Sequence, residues 1–192
     1  RLRYAALATL FATSFAPAAV RGQAHPPGHQ GARPAVVDAL LRDLAAVERK
    51  MTSLVEAMPA TAYDWRPGEG VRSSGEVVMH VAADNYFLPT AKGVAAPEAS
   101  GIRAGEYATV QAYETRTATK AEALQEMRAS FAHLRTAVEQ TDEAFLGSQI
   151  DLFGNRMSGL DLWVLTTTHL HEHLGQLIAY ARANGVAPPW SQ

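Results

Sequence analysis

The apolar residues between Pro34 and Met58 recur at steps of three and four positions, which is the spacing of one face of an α-helix. The stripe consists of Val37, Leu40, Leu41, Leu44, Val47, Met51, Leu54, Val55 and Met58. An amphipathic helix has to bury such a stripe against other elements. The sequence therefore predicts a long first helix within a packed helical assembly.

A second helix is predicted after the Pro- and Gly-rich stretch of residues 59–72. Ser73 and Glu76 have the spacing of a capping box, in which each side chain satisfies a free backbone N–H group of the first helical turn. The helix should run to about Leu88, because Pro89 cannot continue it. The residues that follow, as far as the next capping signal, are interpreted as a long loop.

Two more helices have comparable start signals. Thr119 and Glu122 repeat the capping-box spacing, and the apolar stripe of this third helix is Leu124, Met127, Phe131, Leu134 and Val138. Ser158 can cap a fourth helix that extends to Asn184, where Gly185 suits the position just beyond a helix end. His133 follows Phe131 by two positions, so it is expected to face away from the core.

Four long helices without strand alternation predict an all-α fold, a four-helix bundle of the up-and-down type with some unusual connections. Residues 141–157 are the exception. Ile150, Leu152 and Phe153 surround Gly154-Asn155, which indicates either a short hairpin or an irregular segment before the last long helix. No internal repeat is found.

The first residues have the pattern of an export signal. Arg1-Leu2-Arg3 precedes an uncharged run from Tyr4 to Ala16, and Ala16-Pro17-Ala18 or Gly22-Gln23-Ala24 offers a small-residue cleavage site. An uncleaved membrane anchor is the alternative, although the run is short for a bilayer span. We therefore predict a signal peptide at 1–24, a flexible leader at 25–34, a single domain at 35–192, and a periplasmic or secreted protein.

Charge and composition exclude several classes of function. Residues 1–24 contain three arginines and no acid, which leaves 14 basic and 19 acidic residues in the rest of the 192-residue chain. Nucleic acids and anionic membranes are therefore not expected as partners, and no stable membrane association is expected after signal cleavage. The chain has no cysteine, so a metal would have to be held by histidine and carboxylate side chains.

Histidines on the fourth helix have the spacing of metal ligands. His169 and His173 lie four residues apart and share a helix face with Leu162, Leu165, Gln176 and Tyr180. His171 is rotated by about 200° from His169 and should point to solvent or to another helix. The zincin motif His-Glu-x-x-His is not present here, which argues against a metalloprotease.

A third ligand has to come from another element, and His80 is the best candidate. It lies on the second helix between apolar neighbours, Val77 to Met79 and Val81, where a buried imidazole needs a polar partner. Spacing alone leaves two interpretations open: a shared metal ion, or a core histidine beside a partly solvated pair.

The combined segments resemble the DinB-like (DinB/YfiT-like) family of metalloproteins. The matching segments are Tyr63-Asp64-Trp65-Arg66-Pro67, Val71-Arg72-Ser73, Glu76 to Val81, and His169-x-x-x-His173-Leu174-Gly175-Gln176. The resemblance covers the chain from about residue 35 to its end. It implies a four-helix bundle in which a divalent metal ion, zinc or nickel, is bound by His80, His169 and His173.

The resemblance also indicates the kind of activity. The better understood relatives are metal-dependent transferases or isomerases that use a small thiol, and the predicted export is a departure from them, since such thiols are scarce outside the cytoplasm. We therefore expect a metal-dependent transferase or hydrolase that acts on a small molecule. A non-catalytic metal-binding, sensing or interaction module is the alternative, and a homodimer remains open.

Three further residues are candidates for roles in catalysis. Asp84, one turn after His80, can orient an imidazole through its second nitrogen or act as a base. Gln176 and Tyr180 follow His173 on its helix face and can line the pocket. All three also suit ordinary hydrogen bonding between helices.

Overall fold

A computed structural model describes residues 33–191 of the chain. The predicted signal peptide at 1–24 and most of the leader at 25–34 lie outside the described residues. The helices and strands are α1 (Ala35–Ala57), α2 (Ala60–Tyr63), α3 (Ser74–Phe87), α4 (Tyr107–Glu114), α5 (Lys120–Glu139), α6 (Glu143–Leu146), β1 (Gln149–Leu152), β2 (Asn155–Ser158) and α7 (Gly159–Ala183). Short 3-10 turns cover Leu88–Lys92, Glu98–Ser100 and Pro189–Ser191.

Capping groups start three of the four long helices at the predicted residues. The Ser73 Oγ atom accepts a hydrogen bond from the Glu76 N–H group at 3.1 Å, and the Glu76 carboxylate accepts one from the Ser73 N–H group at 2.7 Å. The same reciprocal pair forms at Thr119 of α5 and at Ser158 of α7. These bonds satisfy backbone donors that have no partner within the helix, so they fix the first residue of each helix.

The end of α7 is also the predicted one. Gly185 has a φ of 75°, and its N–H group donates to the Arg182 carbonyl oxygen, while the Val186 N–H group donates to that of Ala181. This pair of bonds is a Schellman motif, which requires a left-handed residue that glycine adopts without steric cost.

The four long helices α1, α3, α5 and α7 form a bundle, but neighbours in sequence are not always neighbours in space. α1 packs against α5 and α7, and α3 packs against the same two helices. α1 and α3 therefore lie diagonally across the bundle, as do α5 and α7. The simple up-and-down order is wrong in this respect, and the long connection of residues 58–73 provides the length for a diagonal crossing.

The core lies where the apolar faces of the four helices meet. Its largest fully buried side chains include Met51 of α1, Phe131 of α5 and Trp163 of α7. The buried Trp163 indole N–H group donates to Thr141 Oγ1 at 3.1 Å, which avoids the cost of an unsatisfied donor. Among the described residues, no helix has both the length and the apolar character needed to cross a bilayer.

Two connections differ from the interpretation of the sequence or decide between its alternatives. The supposed long loop after α3 contains helix α4, which buries Val110 and Tyr113. The segment before α7 is a hairpin, in which Leu152 pairs with Asn155 across a two-residue turn.

His133 does not simply face away from the core. Its ring lies edge-on to Tyr86 of α3, with 5.5 Å between ring centroids, and its Nε2 atom is enclosed without a hydrogen-bond partner among the described residues. Burial lowers the pKa of His133. The expectation was wrong because α3 and α5 pack closely enough to cover the flank of α5 as well as its apolar stripe.

Candidate metal centre

Three histidine rings from two helices meet inside the bundle. His80 comes from α3, and His169 and His173 are one turn apart on α7. Each offers one ring nitrogen, and these three atoms all lie within 4.8 Å of one another. The centroid of the His80 ring lies 5.2 Å from that of His169 and 4.6 Å from that of His173, and the last two are 4.4 Å apart. The rings of each pair are nearly perpendicular. The structure thus brings together the three residues singled out in the sequence.

A carboxylate outside this group holds the ring of His80. The Nδ1 atom of His80 lies 2.7 Å from Oε1 of Glu114, the last residue of α4, and both side chains are nearly buried. The other carboxylate oxygen, Oε2, accepts from the Arg72 guanidinium at 3.0 Å. Burial alone would raise the pKa of Glu114, but its bonds and charge interactions with His80 and Arg72 lower it. An ionised Glu114 accepts the Nδ1 proton of His80, which leaves the Nε2 lone pair free.

An amide holds His173 in the same manner. The His173 Nδ1 atom lies 2.9 Å from Gln176 Oε1, and the Gln176 amide nitrogen donates to the Tyr180 hydroxyl at 2.8 Å. In this orientation the amide oxygen faces the histidine and accepts, so Nδ1 carries the proton. Trp65 packs edge-on against Tyr180, with 5.3 Å between ring centroids, and thereby covers this chain of bonds.

The opposite nitrogen of His173 has no partner among the described residues. Its Nε2 atom is buried and makes no hydrogen bond within the described part of the chain. Burial lowers the pKa of His173 to about 4, which outweighs the raising effect of the Gln176 bond, and the charges of His169 and His80 lower it further. The ring is therefore neutral at pH 7, with an unshared lone pair directed into the cluster. A buried acceptor of this kind costs free energy unless a ligand satisfies it.

Asp84 lies on the inner side of the cluster. Its Oδ2 atom is 2.7 Å from His169 Nε2 and 3.3 Å from His80 Nε2, the nitrogens that face the shared space. At His80, Glu114 contacts Nδ1, the ring nitrogen that points away from the cluster. Holding a ligating histidine in this way was one role considered for Asp84. Asp84 lies within reach of anything bound between the rings, where its carboxylate can accept a proton or provide an oxygen ligand beside the three nitrogens.

Other histidines of the described residues stand apart from the cluster. His171 Nε2 lies 3.0 Å from both carboxylate oxygens of Asp43 on α1, on the side of α7 turned away from His169. This position agrees with the helical phase expected for His171.

Sequence reasoning missed Glu114, and it gave no role to Arg72, which it named only within a segment that resembles the family. Glu114 is 34 residues from His80, on a segment that was interpreted as a loop. The available signal was the apolar pair Val110 and Tyr113, three residues apart, which marks a short amphipathic helix. Even this signal indicates a helix and not which histidine its last residue reaches.

Three imidazoles with two Nε2 lone pairs already directed inward suit a divalent metal ion. Zinc and similar ions bind neutral imidazole nitrogen at about 2.0–2.1 Å, and a site with three protein ligands keeps a position open for water or substrate. The buried, unpartnered Nε2 atom of His173 fits this use. The fold and the cluster together define a helical-bundle protein with a candidate three-histidine metal centre.

The chain belongs to the DinB superfamily, whose family model matches residues 43–177. A comparison with curated proteins gives no significant match. Solved structures with the same fold include a DinB-like protein of Bacillus subtilis, with 21% identity and a TM-score of 0.59, which covers 77% of this chain and 92% of that one. A DinB-like protein of Bacillus cereus has 14% identity, a TM-score of 0.64, and coverages of 79% and 95%.

YfiT from Bacillus subtilis is a third similar structure. It has 16% identity and a TM-score of 0.64, and it covers 84% of this chain and 95% of that one. That protein is described as a probable metal-dependent hydrolase with an unusual four-helix bundle topology.

Proposed function

We propose that this protein binds one divalent metal ion, zinc or nickel, through His80, His169 and His173, and that it is a metal-dependent hydrolase of a small molecule. The observation that carries the proposal is the convergence of the three imidazoles, with a buried His173 Nε2 atom that has no other partner among the described residues. The description of the similar YfiT protein as a probable metal-dependent hydrolase supports the choice of reaction.

The protein's own residues supply the rest of the chemistry. A bound divalent ion acts as a Lewis acid that activates water or polarises a substrate carbonyl group. In ester hydrolysis, water adds to the carbonyl carbon and the alcohol leaves. Asp84 Oδ2 is placed to take the proton from the water and to return it to the leaving oxygen. Glu114 and Gln176 hold two of the rings so that their Nε2 atoms stay deprotonated.

The first test is the metal content of untagged protein. One equivalent of zinc or nickel per chain is expected, and it should be lost in His80→Ala and His173→Ala. Protein that binds no divalent ion at micromolar concentration would refute the proposal.

The second test separates hydrolase, transferase and non-catalytic module. Metal-loaded protein is screened against esters, and against thiols combined with electrophiles. Hydrolysis that is lost in Asp84→Asn with metal content retained supports the proposal, and Asp43→Asn serves as the matched control on the opposite side of α7. Turnover only in the presence of a thiol indicates a transferase, and bound metal without turnover indicates a sensing or interaction module.

We further propose that the protein is exported. The support is the arginine-flanked apolar run from Tyr4 to Ala16 and the small-residue sites that follow it. N-terminal sequencing of the protein from fractionated cells tests the proposal. A cytoplasmic chain that still contains the run from Tyr4 to Ala16 would refute it.

A further inference from the structure

A cavity of about 400 Å³ opens directly beside the histidine cluster. His80, Asp84 and His169 form one wall of it. The end of α3 contributes Phe87 and Leu88 to the other walls, α4 contributes Tyr107, and α7 contributes Leu165. The hairpin contributes Leu152, Phe153, Asn155 and Met157. The volume lies within the range of pockets that bind small molecules. The cavity therefore has one polar end, at the candidate metal centre, and an apolar remainder.

Exposed apolar side chains gather around this cavity. Seven large apolar residues of the described chain are exposed, and three of them, Tyr107, Phe153 and Leu165, line it. The Phe153 ring stacks on Phe87 with 5.6 Å between ring centroids and lies edge-on to Tyr107 at 5.4 Å. Aromatic side chains that remain partly open to water in one cluster are typical of a binding surface.

The backbone at Phe153 carries a cost that folding alone does not explain. Phe153 has a φ of 55° and Gly154 has a φ of 77°, so both turn residues of the hairpin are left-handed. Asparagine or aspartate followed by glycine favours such a turn, and phenylalanine in this conformation is a steric outlier. Phe153 as a whole is also 60% exposed, so burial compensates only in part. Strained residues of this kind cluster at functional sites.

The charge of the lining narrows the choice of ligand. Among the described residues, no lysine or arginine lines the cavity, and its one charged group is Asp84 at the metal end. A ligand with a carboxylate or phosphate group in the apolar part would bury that anion without a counter-charge. An uncharged ring would instead be stacked by Phe87, Tyr107 and Phe153.

We propose that the cavity binds an uncharged aryl group of the substrate, next to the functional group that reacts at the histidine cluster. The inference rests on the proposed function, since the cluster supplies the metal against which the ligand is oriented. It adds a substrate class, small molecules with an uncharged aromatic ring beside the reacting group. Phe153 is the specificity residue, because its ring forms the exposed face of the aromatic cluster.

The test uses two metal-chelating probes that differ only in the group beside the chelator. Benzohydroxamate carries a phenyl ring and acetohydroxamate carries a methyl group. Calorimetric titration of zinc-loaded and zinc-free protein gives their dissociation constants. Benzohydroxamate is expected to bind zinc-loaded protein about tenfold more tightly or better, because the phenyl ring buries more apolar surface than the methyl group.

Two variants locate the added affinity in the cavity. Phe153→Asn removes the ring and suits the left-handed turn, so the thermal midpoint should stay level or rise. The ratio of the two dissociation constants should fall towards the ratio that the two hydroxamates show for free zinc. Leu165→Gln should lower the ratio from the α7 side. Val36→Asn replaces an exposed apolar residue that does not line the cavity and should keep the wild-type ratio.

The outcomes separate this inference from the proposed function. Zinc-dependent binding of both probes with no preference for benzohydroxamate, or with a preference unchanged in both Phe153→Asn and Leu165→Gln, would overturn the aryl pocket and leave the metal centre intact. Binding of neither probe in a zinc-dependent manner would overturn the open metal centre itself, and with it this inference.

Discussion

Replacement of Glu114 by glutamine tests how much the carboxylate that holds the His80 ring contributes to metal binding. Glu114 accepts from two donors at once, His80 Nδ1 through Oε1 and Arg72 through Oε2. A glutamine has one acceptor oxygen and one donor NH2 group, so it can serve only one of these two donors. Glu114→Gln therefore either frees the His80 ring or places an NH2 group against a guanidinium.

The magnitude follows from the burial of the pair. The side chains of His80 and Glu114 are only 8% and 12% exposed, so little water can replace the lost bond. A hydrogen bond to a charged group contributes about 1.5–3 kcal/mol in such a setting. That range corresponds to roughly 10–140-fold in affinity, which is close to the usual 10–100-fold effect of removing the partner of a ligating histidine.

A second carboxylate near the cluster provides the matched control. Glu172 lies 4.0 Å from His169 Nδ1, beyond hydrogen-bond distance, and its side chain is 77% exposed. Glu172→Gln removes the same charge without removing a bond, so its effect on affinity should stay within about twofold, because an exposed charge pair contributes little. Competition with a chromogenic chelator measures zinc affinity in both variants. Equal affinities of Glu114→Gln and Glu172→Gln would refute the positioning role of Glu114.

Three other predictions concern the same bundle. His173→Ala should weaken zinc binding by more than the ~10–100-fold expected when the partner of a ligating histidine is removed, whereas His171→Ala should not alter it. Equal losses in the two variants would contradict the placement of His171 on the opposite side of α7. Zinc at ~100 times its dissociation constant should raise the free energy of unfolding by about 2.7 kcal/mol and the thermal midpoint by roughly 5–11 °C, since an ion held by His80, His169 and His173 would join α3 to α7; unchanged midpoints in calorimetry at pH 7.5 would exclude this clamp. Burial lowers the pKa of His133, so below about pH 6.5 the unfolded chain binds more protons than the native state, and stability falls as the pH is lowered through that window. Metal-free His133→Leu should therefore lose less stability on acidification than the metal-free wild type. An equal drop of the urea midpoint in both proteins would contradict this.

The starts of α3, α5 and α7 are predictable because they depend on local chemistry. The Ser73, Thr119 and Ser158 hydroxyl groups each bond to a backbone N–H group three residues ahead, and such a bond can be inferred from spacing. The neighbours of each helix cannot be inferred in this way. The diagonal placement of α1 and α3 depends on how four apolar faces fit together, and the stripes alone are compatible with several orders.

The candidate site likewise has a part that local sequence predicts and a part that it does not. The pairing of His169 with His173 follows from their spacing of one helical turn. His80 was inferred from its apolar neighbours and from the family resemblance. Glu114 could not be assigned, because a contact between α4 and α3 across 34 residues has no local signature. The hairpin remained one of two alternatives, because its turn has Phe153 where asparagine or aspartate would be the usual signal.

The diagonal arrangement has a consequence for the order in which the chain can fold during synthesis. α1 is complete at Ala57, but the first helix it packs against begins only at Lys120. At about 5–20 residues per second the ribosome needs roughly 3–13 s to make the intervening chain, and α1 has no partner for its apolar stripe during that time. α3 and α5 are the one pair of consecutive long helices that pack directly, so we expect this pair to form first and α1 to dock later. Nascent chains stalled after residue 100 should therefore be as sensitive to protease within α1 as an unfolded peptide, and protection of α1 at that length would contradict this order.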